Sequence, residues 1–243
     1  MKVINIFIAG LLIISVASCK KNTLATSGDV AISMNNVANG NPITLGALNN
    51  TNALGSTFSV DMLKYYVSKM VLVSDAGSDF EFNNYDLIDI ADPTTLTIQG
   101  SAIPNGHYSK LKFALGIDSL RNHTGAQEGD LDPLYGMIWT WSTGYIFFKH
   151  EGRFIKTDLT EDNLLFHLGT DRAYTMLEIP IDLKVEGANK KLIINFDVAK
   201  MYNSPALDFN VMNINQSTTA ADFPWIDDMK ANAIDAFSFN RSE

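Results

Sequence analysis

The chain has one cysteine among its 243 residues, Cys19, so it cannot form a disulfide with itself. It also lacks the CxxC, HxxxH and HExxH spacings that mark zinc sites. The GxSxG elbow and a glycine-rich phosphate loop are absent, and no cysteine other than Cys19 offers a nucleophile. These absences give no support for an enzyme, and we predict that the protein is not one.

Basic residues are in the minority. Lysine and arginine number 18 against 27 aspartates and glutamates, which gives a net charge of -9 at neutral pH. Such a surface repels nucleic acid, so we predict no nucleic-acid partner. The charge suits a body tethered beside a membrane, or one that binds cations, without specifying a ligand.

The N-terminal segment carries the one long apolar run, INIFIAGLLIISVA. It follows Lys2, is too short for an ordinary membrane-spanning helix, and leads into V-A-S-C at Cys19. That ending resembles the lipobox of bacterial lipoproteins, in which the cysteine is acylated after cleavage. We therefore predict a signal peptide at 1–18, a lipidated Cys19 with its tether at 19–27, and membrane attachment through the lipid. The alternative is a plain secretory signal with a chance cysteine.

The residues after Cys19 bear on location. Lys20 and Lys21 follow it, with no acidic run of the kind that resembles surface-export signals. We predict an outer-membrane lipoprotein that faces the periplasm, with the cell surface as the alternative.

Three segments alternate apolar and polar residues with a period of two, as half-buried antiparallel strands do. The apolar positions are Leu111, Phe113 and Leu115 in LKFAL, then Leu177, Ile179, Ile181, Leu183 and Val185 in LEIPIDLKV, then Leu192, Ile194, Phe196 and Val198 in KLIINFDV. Turn signals such as Pro104-Asn105-Gly106 separate such runs. Pro180, inside the second segment, predicts a sheet edge or a bulge.

Helical spacing is scarce. Only DDMKANAIDAF near the end of the chain shows it, and FSF after it reads as a last strand. Many short strands with little helix indicate an all-β fold. We predict one domain at 28–243, a single antiparallel β-sandwich of the immunoglobulin or jelly-roll kind, with long loops and at most one or two short helices.

One segment, IDSLRNHTGAQEGDLDPLYGM, interrupts this rhythm for about twenty residues. We expect an ordered excursion at one end of the sandwich, in which Asp118, Asp130 and Asp132 fix turns through backbone hydrogen bonds. The same three carboxylates are alternative calcium ligands, because hard cations take several oxygens. The segment lacks the rest of an EF-hand loop, which favours the turns.

The W-T-W string places Trp139 and Trp141 on one face of an extended segment. Two adjacent indoles make a large rigid surface whose N–H groups each need a partner. They form either a ridge in the core or a platform that lines a pocket together with Met137 and a histidine.

The remaining metal-binding candidates are histidines. His167 interrupts the apolar run NLLFHLG, sharing a face with Leu165, and such a residue is either a hydrogen-bonded core histidine or a metal ligand. His150 precedes a Glu-Gly turn, on the side of Phe148 if the alternation holds, and His123 lies in the long loop.

Several segments, in this order, resemble the MbnP-like lipoproteins of Bacteroidetes, a family named for a copper-binding protein associated with methanobactin operons. They are LKYYVSKMVLV, YDLIDIADPTTLT, IPNGHYSKLKFALGIDSLRN, GDLDPLYGMIWTWSTGYIFFKHEG and FHLGT. They run in the family's order, and the resemblance covers roughly residues 28 to 240. The string G-x-L-D-P-x-x-G-M-x-W-x-W-x-x-G-Y is the most specific of these motifs.

The resemblance implies a β-sandwich that binds copper through a histidine and a tryptophan oxidised to kynurenine. A partner dihaem enzyme of the cytochrome c peroxidase type carries out that oxidation in characterised members. Kynurenine's ring amine adds a neutral nitrogen, and imidazole suits copper. Carried over by motif, His167 is the F-H-L-G histidine, and Trp139 and Trp141 are the W-x-W pair.

No motif nominates a second histidine ligand, so His150 and His123 both stay open. Met137 offers Cu(I) a soft thioether, although filling a gap in the core is its other role. Our hypothesis is therefore a lipoprotein that binds or stores copper near Trp139, Trp141 and His167. The competing hypotheses are a metal-free module that binds a glycan, a peptide or a partner protein through its aromatic end, and a purely structural domain with both tryptophans buried.

Overall fold

The computed structural model of the protein describes residues 26–140 and 143–243. The predicted signal peptide, Cys19 and most of the tether lie outside the described residues, as does Trp141. In the described part strands predominate and helices are few, which confirms the predicted all-β, sandwich-like fold. None of the helices described there is long and apolar enough to cross a membrane.

The described strands are β1 (Ser27–Ala38), β2 (Asn41–Pro42), β3 (Asn50–Thr51), β4 (Thr57–Phe58), β5 (Met62–Ser74), β6 (Phe80–Glu81), β7 (Tyr85–Asp89), β8 (Thr97–Pro104), β9 (Gly106–Leu115), β10 (Ile138–Thr140), β11 (Gly144–Ile155), β12 (Glu161–Gly169), β13 (Thr175–Val185), β14 (Lys190–Asp197), β15 (Ile214–Gln216) and β16 (Phe237–Ser242). The α-helices are α1 (Ser119–Asn122), α2 (Thr170–Ala173) and α3 (Phe223–Ala236). Short 3-10 turns occupy Pro93–Leu96, Gly129–Leu131, Pro133–Tyr135, Val198–Tyr202 and Ala220–Asp222.

These strands form two sheets. The smaller has the order β16-β14-β1-β2, with β8 also paired to β1. The larger has the order β13-β9-β5-β11-β12-β15, and the short strands β3, β4, β6, β7 and β10 attach to it. Most pairs are antiparallel as predicted, but β1 pairs with β14 in parallel, and β12 pairs with β15 in parallel. Alternation along one strand does not encode the direction of its partner, so the sequence pattern could not reveal these two pairs.

Aromatic side chains from both sheets fill the space between them. Phe196 of β14 lies 4.6 Å from Tyr65 of β5 and 6.2 Å from Phe148 of β11, measured between ring centroids. Its ring stacks on Phe237 of β16 at 4.5 Å, and Phe237 in turn contacts Phe113 of β9. All five rings are buried, so this cluster joins the two sheets.

The alternation predicted for β13 is observed along its whole length, with every second residue from Thr175 to Val185 buried and the others exposed. β13 is an edge strand of the larger sheet, and its register with β9 shifts between Pro180 and Leu183. Both expectations for Pro180, a sheet edge and a bulge, are therefore confirmed. Their physical cause is that proline cannot donate a hydrogen bond to the ladder.

The C-terminal helix and strand are also as predicted. α3 buries Ile226, Met229 and Ala233, and β16 follows it directly. The helix begins a few residues before the predicted segment because Pro224 lies in its first turn, where a missing N–H costs nothing.

We expect Phe196→Ala to lower the free energy of unfolding by about 3–5 kcal/mol, since it removes the ring that contacts both sheets and leaves a cavity. Urea unfolding followed by circular dichroism measures the change. Leu159→Ala is the matched control, because Leu159 is 83% exposed and its truncation should cost less than about 0.5 kcal/mol. Equal losses in the two variants would contradict the assignment of Phe196 to the core.

Candidate metal centre

The pairing of β11 with β12 decides which histidine faces the core. His150 lies opposite Phe166, and Lys149 lies opposite His167. Residues opposite each other in a ladder share a face, and neighbours along a strand alternate. Since His150 and Phe166 are fully buried in the core, Lys149 and His167 lie on the other face of the sheet.

His167 is buried on that outer face, with only 7% of its surface exposed. Its Nε2 lies 2.8 Å from Oε1 of Glu151, and Nζ of Lys149 lies 3.3 Å from the same oxygen. Burial lowers the pKa of His167, and this outweighs the opposite effect of the Glu151 carboxylate. Burial acts to raise the pKa of Glu151, but the hydrogen bond with His167 and the charge of Lys149 lower it overall. At neutral pH the imidazole is therefore neutral and the carboxylate ionised.

The other ring nitrogen of His167, Nδ1, makes no hydrogen bond to the described residues. This atom is also buried. Buried polar atoms in proteins are nearly always paired, so an unpaired one calls for an explanation. Nδ1 of His167 is thus a candidate ligand atom.

Trp139 lies on the same face as His167. The structure shows this through Gly169, where a Cβ atom would come within 2.8 Å of Cζ3 of Trp139 and 2.4 Å of the carbonyl oxygen of Tyr145. Residues two apart in a strand share a face and lie about 7 Å apart, so the indole covers β12 one step along from His167. Glycine is required here because a side chain would occupy the position of the indole.

The indole N–H of Trp139 is likewise without a hydrogen-bond acceptor among the described residues. Its Nε1 atom is buried, although the ring as a whole is only partly buried. The indole ring of Trp139 contacts, at Gly169, the face of β12 that also carries His167, and each of the two residues has one buried nitrogen without a partner among the described residues. The two residues therefore lie against the same face of β12, while a shared metal site remains a prediction.

Lys149 links β11 to the turn that precedes β10. Its ammonium group donates to the carbonyl oxygen of Gly136 at 3.3 Å in addition to contacting Glu151. Gly136 ends the 3-10 turn Pro133–Tyr135 with a φ of 68°, a left-handed conformation that favours glycine. Lys149 therefore holds the segment that leads into Trp139 against β11.

The other predicted ligands lie elsewhere. Met137 is 1% exposed and belongs to the hydrophobic core, which fits its gap-filling role. His123 lies on the rim of a cleft of about 430 Å³, with Nε2 3.0 Å from Oδ1 of Asp171. Trp141 lies outside the described residues, so its prediction stays a prediction.

His150 does not reach the outer face. Its Nδ1 accepts a hydrogen bond from the hydroxyl of Tyr202 at 2.6 Å, and its Nε2 donates to the carbonyl of Ser59 at 3.1 Å. Both nitrogens are satisfied within the core, and burial lowers the pKa of His150 to about 4. The structure therefore separates His150 from His167 and gives it a role in packing.

The three aspartates of the long loop all accept backbone hydrogen bonds; two of them cap short helical turns, and the third ties the loop to β7. Asp118 caps α1 through the N–H of Arg121, and Asp132 caps the 3-10 turn through the N–H of Leu134. Asp130 accepts from the N–H of Leu87 at 2.9 Å. Among residues 26–140 and 143–243 no group of three or more histidines, cysteines or carboxylates is arranged to hold a metal, so the calcium alternative has no support.

Two members of the outer face, Lys149 and Glu151, were not found from the sequence. Their proximity to His167 depends on the register of β11 against β12. That register includes a bulge between Ile146 and Phe148, which hydrophobic alternation does not specify. The available signal was the spacing Lys149-His150-Glu151, which predicts that the charged pair shares one face.

The protein is thus an all-β, sandwich-like domain whose larger sheet carries a buried histidine and a partly buried tryptophan against one face of β12. The MbnP family model matches residues 27–220, and the chain belongs to the MbnP family. Among solved structures it is similar to MbnP from Methylosinus trichosporium, with 19% identity, a TM-score of 0.52, and coverage of 82% of this chain and 86% of that one. A comparison with curated proteins gave no match.

We expect His150 to make stability depend on pH. An unfolded histidine takes up a proton below about pH 6.5, whereas folded His150 resists protonation down to about pH 4. Between about pH 6.5 and pH 4 the unfolded state therefore binds more protons than the folded state. The contribution of neutral His150 to the free energy of unfolding is complete above about pH 6.5 and falls as the pH drops. The loss between pH 7 and pH 5 should be roughly 2 kcal/mol.

Urea unfolding of the wild type and of His150→Gln at both pH values measures this contribution. The variant should be less stable at pH 7 and show a smaller loss at pH 5, because other groups titrate in both proteins alike. The same pH dependence in the two proteins would contradict the buried neutral state of His150.

Proposed function

We propose that the protein binds copper on the outer face of the larger sheet, at Nδ1 of His167 and beside Trp139. The observation that carries the proposal is the buried Nδ1 of His167, which has no hydrogen-bond partner among the described residues, on the face of β12 that the indole of Trp139 contacts at Gly169. Membership of the MbnP family supports it, because the resemblance implies a histidine and a tryptophan as the copper residues.

The residues present fit such a metal. A neutral imidazole with a free lone pair is a good copper ligand, and His167 presents one. The indole N–H of Trp139 is a donor only, so the encoded side chain shapes the site without ligating. Oxidation of Trp139 or of Trp141 to kynurenine, with loss of one ring carbon, by a dihaem enzyme of the cytochrome c peroxidase type would supply the second nitrogen. Copper itself is cargo in this proposal, bound or stored by the protein.

The ligand set selects against other metals. Zinc and calcium sites use three or more nitrogen, sulfur or oxygen ligands, usually with anionic groups among them. The described residues contain no such group of histidines, cysteines and carboxylates. A site built on one imidazole and one aromatic residue favours copper over both ions.

The proposed location follows from the segment before the domain. V-A-S-C at Cys19 predicts export and lipidation, and Lys20 and Lys21 predict a periplasm-facing outer-membrane lipoprotein. We propose that the sandwich holds copper there, outside the cytoplasm.

A metal-free binding module remains the second candidate because of one exposed feature. Leu134 is 91% exposed and Tyr135 is 47% exposed, at the tip of the turn before Trp139. Aromatic residues are favoured at protein interfaces. The indole of Trp139 itself fits this alternative poorly, since its Nε1 is buried.

We expect the purified protein to bind one equivalent of copper(I), measured by competition with a chromophoric chelator. His167→Ala should weaken binding by roughly 100-fold or more. Loss of a residue that hydrogen-bonds to a metal ligand typically costs about 10- to 100-fold in affinity, and loss of the ligand itself costs more. His107→Ala is the control, since His107 is half-exposed and bonded to Asp75 and Asp182 elsewhere. His123→Ala tests the candidate second ligand in the long loop, and it should weaken copper binding only if His123 contributes to the site.

Equal, weak binding in the wild type and His167→Ala would remove the copper proposal and favour the binding module. Intact mass of protein isolated from its native host tests the modification, because kynurenine has one carbon fewer and one oxygen more than tryptophan. Peptide mapping then assigns the change to Trp139 or to Trp141.

A further inference from the structure

We infer that Glu151 is a positioning residue that fixes the ring proton of His167 on Nε2 and directs the lone pair of Nδ1 into the metal site. The inference rests on the proposed function for the identity of the metal. The position of the proton rests on the structure alone.

The hydrogen bond between Glu151 and His167 determines the tautomer. Oε1 of Glu151 lies 2.8 Å from Nε2, and an ionised carboxylate can only accept. Nε2 must therefore carry the proton. In a neutral imidazole the other nitrogen then keeps its lone pair, and that nitrogen is the buried, unpaired Nδ1.

The alternative tautomer is disfavoured from both sides. A proton on Nδ1 would lie buried without an acceptor among the described residues, which leaves a polar donor unsatisfied. The lone pair of Nε2 would then face the carboxylate of Glu151 across 2.8 Å. Glu151 thus prepares Nδ1 as a ligand before any metal arrives.

Lys149 orients the carboxylate of Glu151. It also determines which tautomer of His167 is favoured when that carboxylate is removed. Its ammonium group contacts Oε1 of Glu151 at 3.3 Å, and it can only donate. Without Glu151 this cation would favour a lone pair on Nε2 and so move the proton to Nδ1. Lys64, opposite Lys149 on β5, does not compete for Glu151 because it pairs with Asp89 at 2.9 Å.

A purely structural ion pair would behave differently. The Glu151 side chain is 35% exposed, and pairs of that kind contribute at most about 1 kcal/mol to stability. Such a role would leave the His167 tautomer untouched. The tautomer is therefore the readout that separates positioning from packing.

The experiment is long-range proton–nitrogen NMR of the histidine rings in metal-free, nitrogen-15-labelled protein, followed by the copper(I) competition measurement. The wild type should show His167 protonated on Nε2. Glu151→Ala should shift the ring toward protonation on Nδ1 and weaken copper binding about 10- to 100-fold. Glu151→Gln, whose side-chain oxygen still accepts, should retain more of the wild-type tautomer and affinity.

Glu178→Ala is the matched control, because Glu178 is a strand glutamate paired with a lysine at 2.7 Å, far along the sheet on β13. It should leave the tautomer and copper binding unchanged. Thermal melting of each variant establishes that it is folded.

A wild-type ring protonated on Nδ1 would overturn the inference. So would a folded Glu151→Ala variant with the wild-type tautomer, or one with a changed tautomer and unchanged copper affinity. A wild-type ring protonated on Nε2 in a protein that binds no copper would overturn the proposed function while leaving the tautomer assignment in place.

Discussion

The burial of Phe166 and Leu168 is the constraint on which the candidate site depends. Both side chains are fully buried, and Phe166 contacts the rings of Tyr202 and Phe209. Because side chains alternate along a strand, their burial fixes His167 and Gly169 on the opposite face. A slip of one residue would expose Phe166 and bury the imidazole among aromatic rings, so the core enforces the register of the site. The site thus has a rigid base although it lies outside the core.

The two histidines of this region show how partners determine chemistry. His150 and His167 lie on adjacent strands, and both are buried enough to stay neutral at neutral pH. Both ring nitrogens of His150 are hydrogen-bonded, one to Tyr202 and one to Ser59, so neither is free to bind a metal. His167 has one nitrogen bonded to Glu151 and one unpaired. Residue type and burial alone would not have distinguished them, whereas the hydrogen-bond inventory does.

Some features of this protein are encoded locally and others arise from pairing. The alternation of β13, the edge position of Pro180 and the turns capped by Asp118 and Asp132 follow from short-range chemistry, and the sequence predicted them. The link between His167 and Glu151 depends on strand register, and the parallel pairing of β1 with β14 depends on distant parts of the chain. Family motifs identified Trp139 and His167 without giving their geometry. The glycine of F-H-L-G was a usable signal, since Gly169 makes room for the indole.

The charge distribution bears on whether an acidic protein could select the soft metal proposed above. The net charge of -9 attracts cations of every kind to the surface, so electrostatics alone cannot select among them. At the outer face, Lys149 neutralises Glu151, and the imidazole of His167 is uncharged. Hard divalent ions need anionic oxygens to repay the loss of their water, and this locally neutral site does not provide them. Imidazole nitrogen, by contrast, binds copper without carrying a charge, so in the proposed site selectivity would come from the type of ligand, and the negative surface would only raise the local concentration of cations.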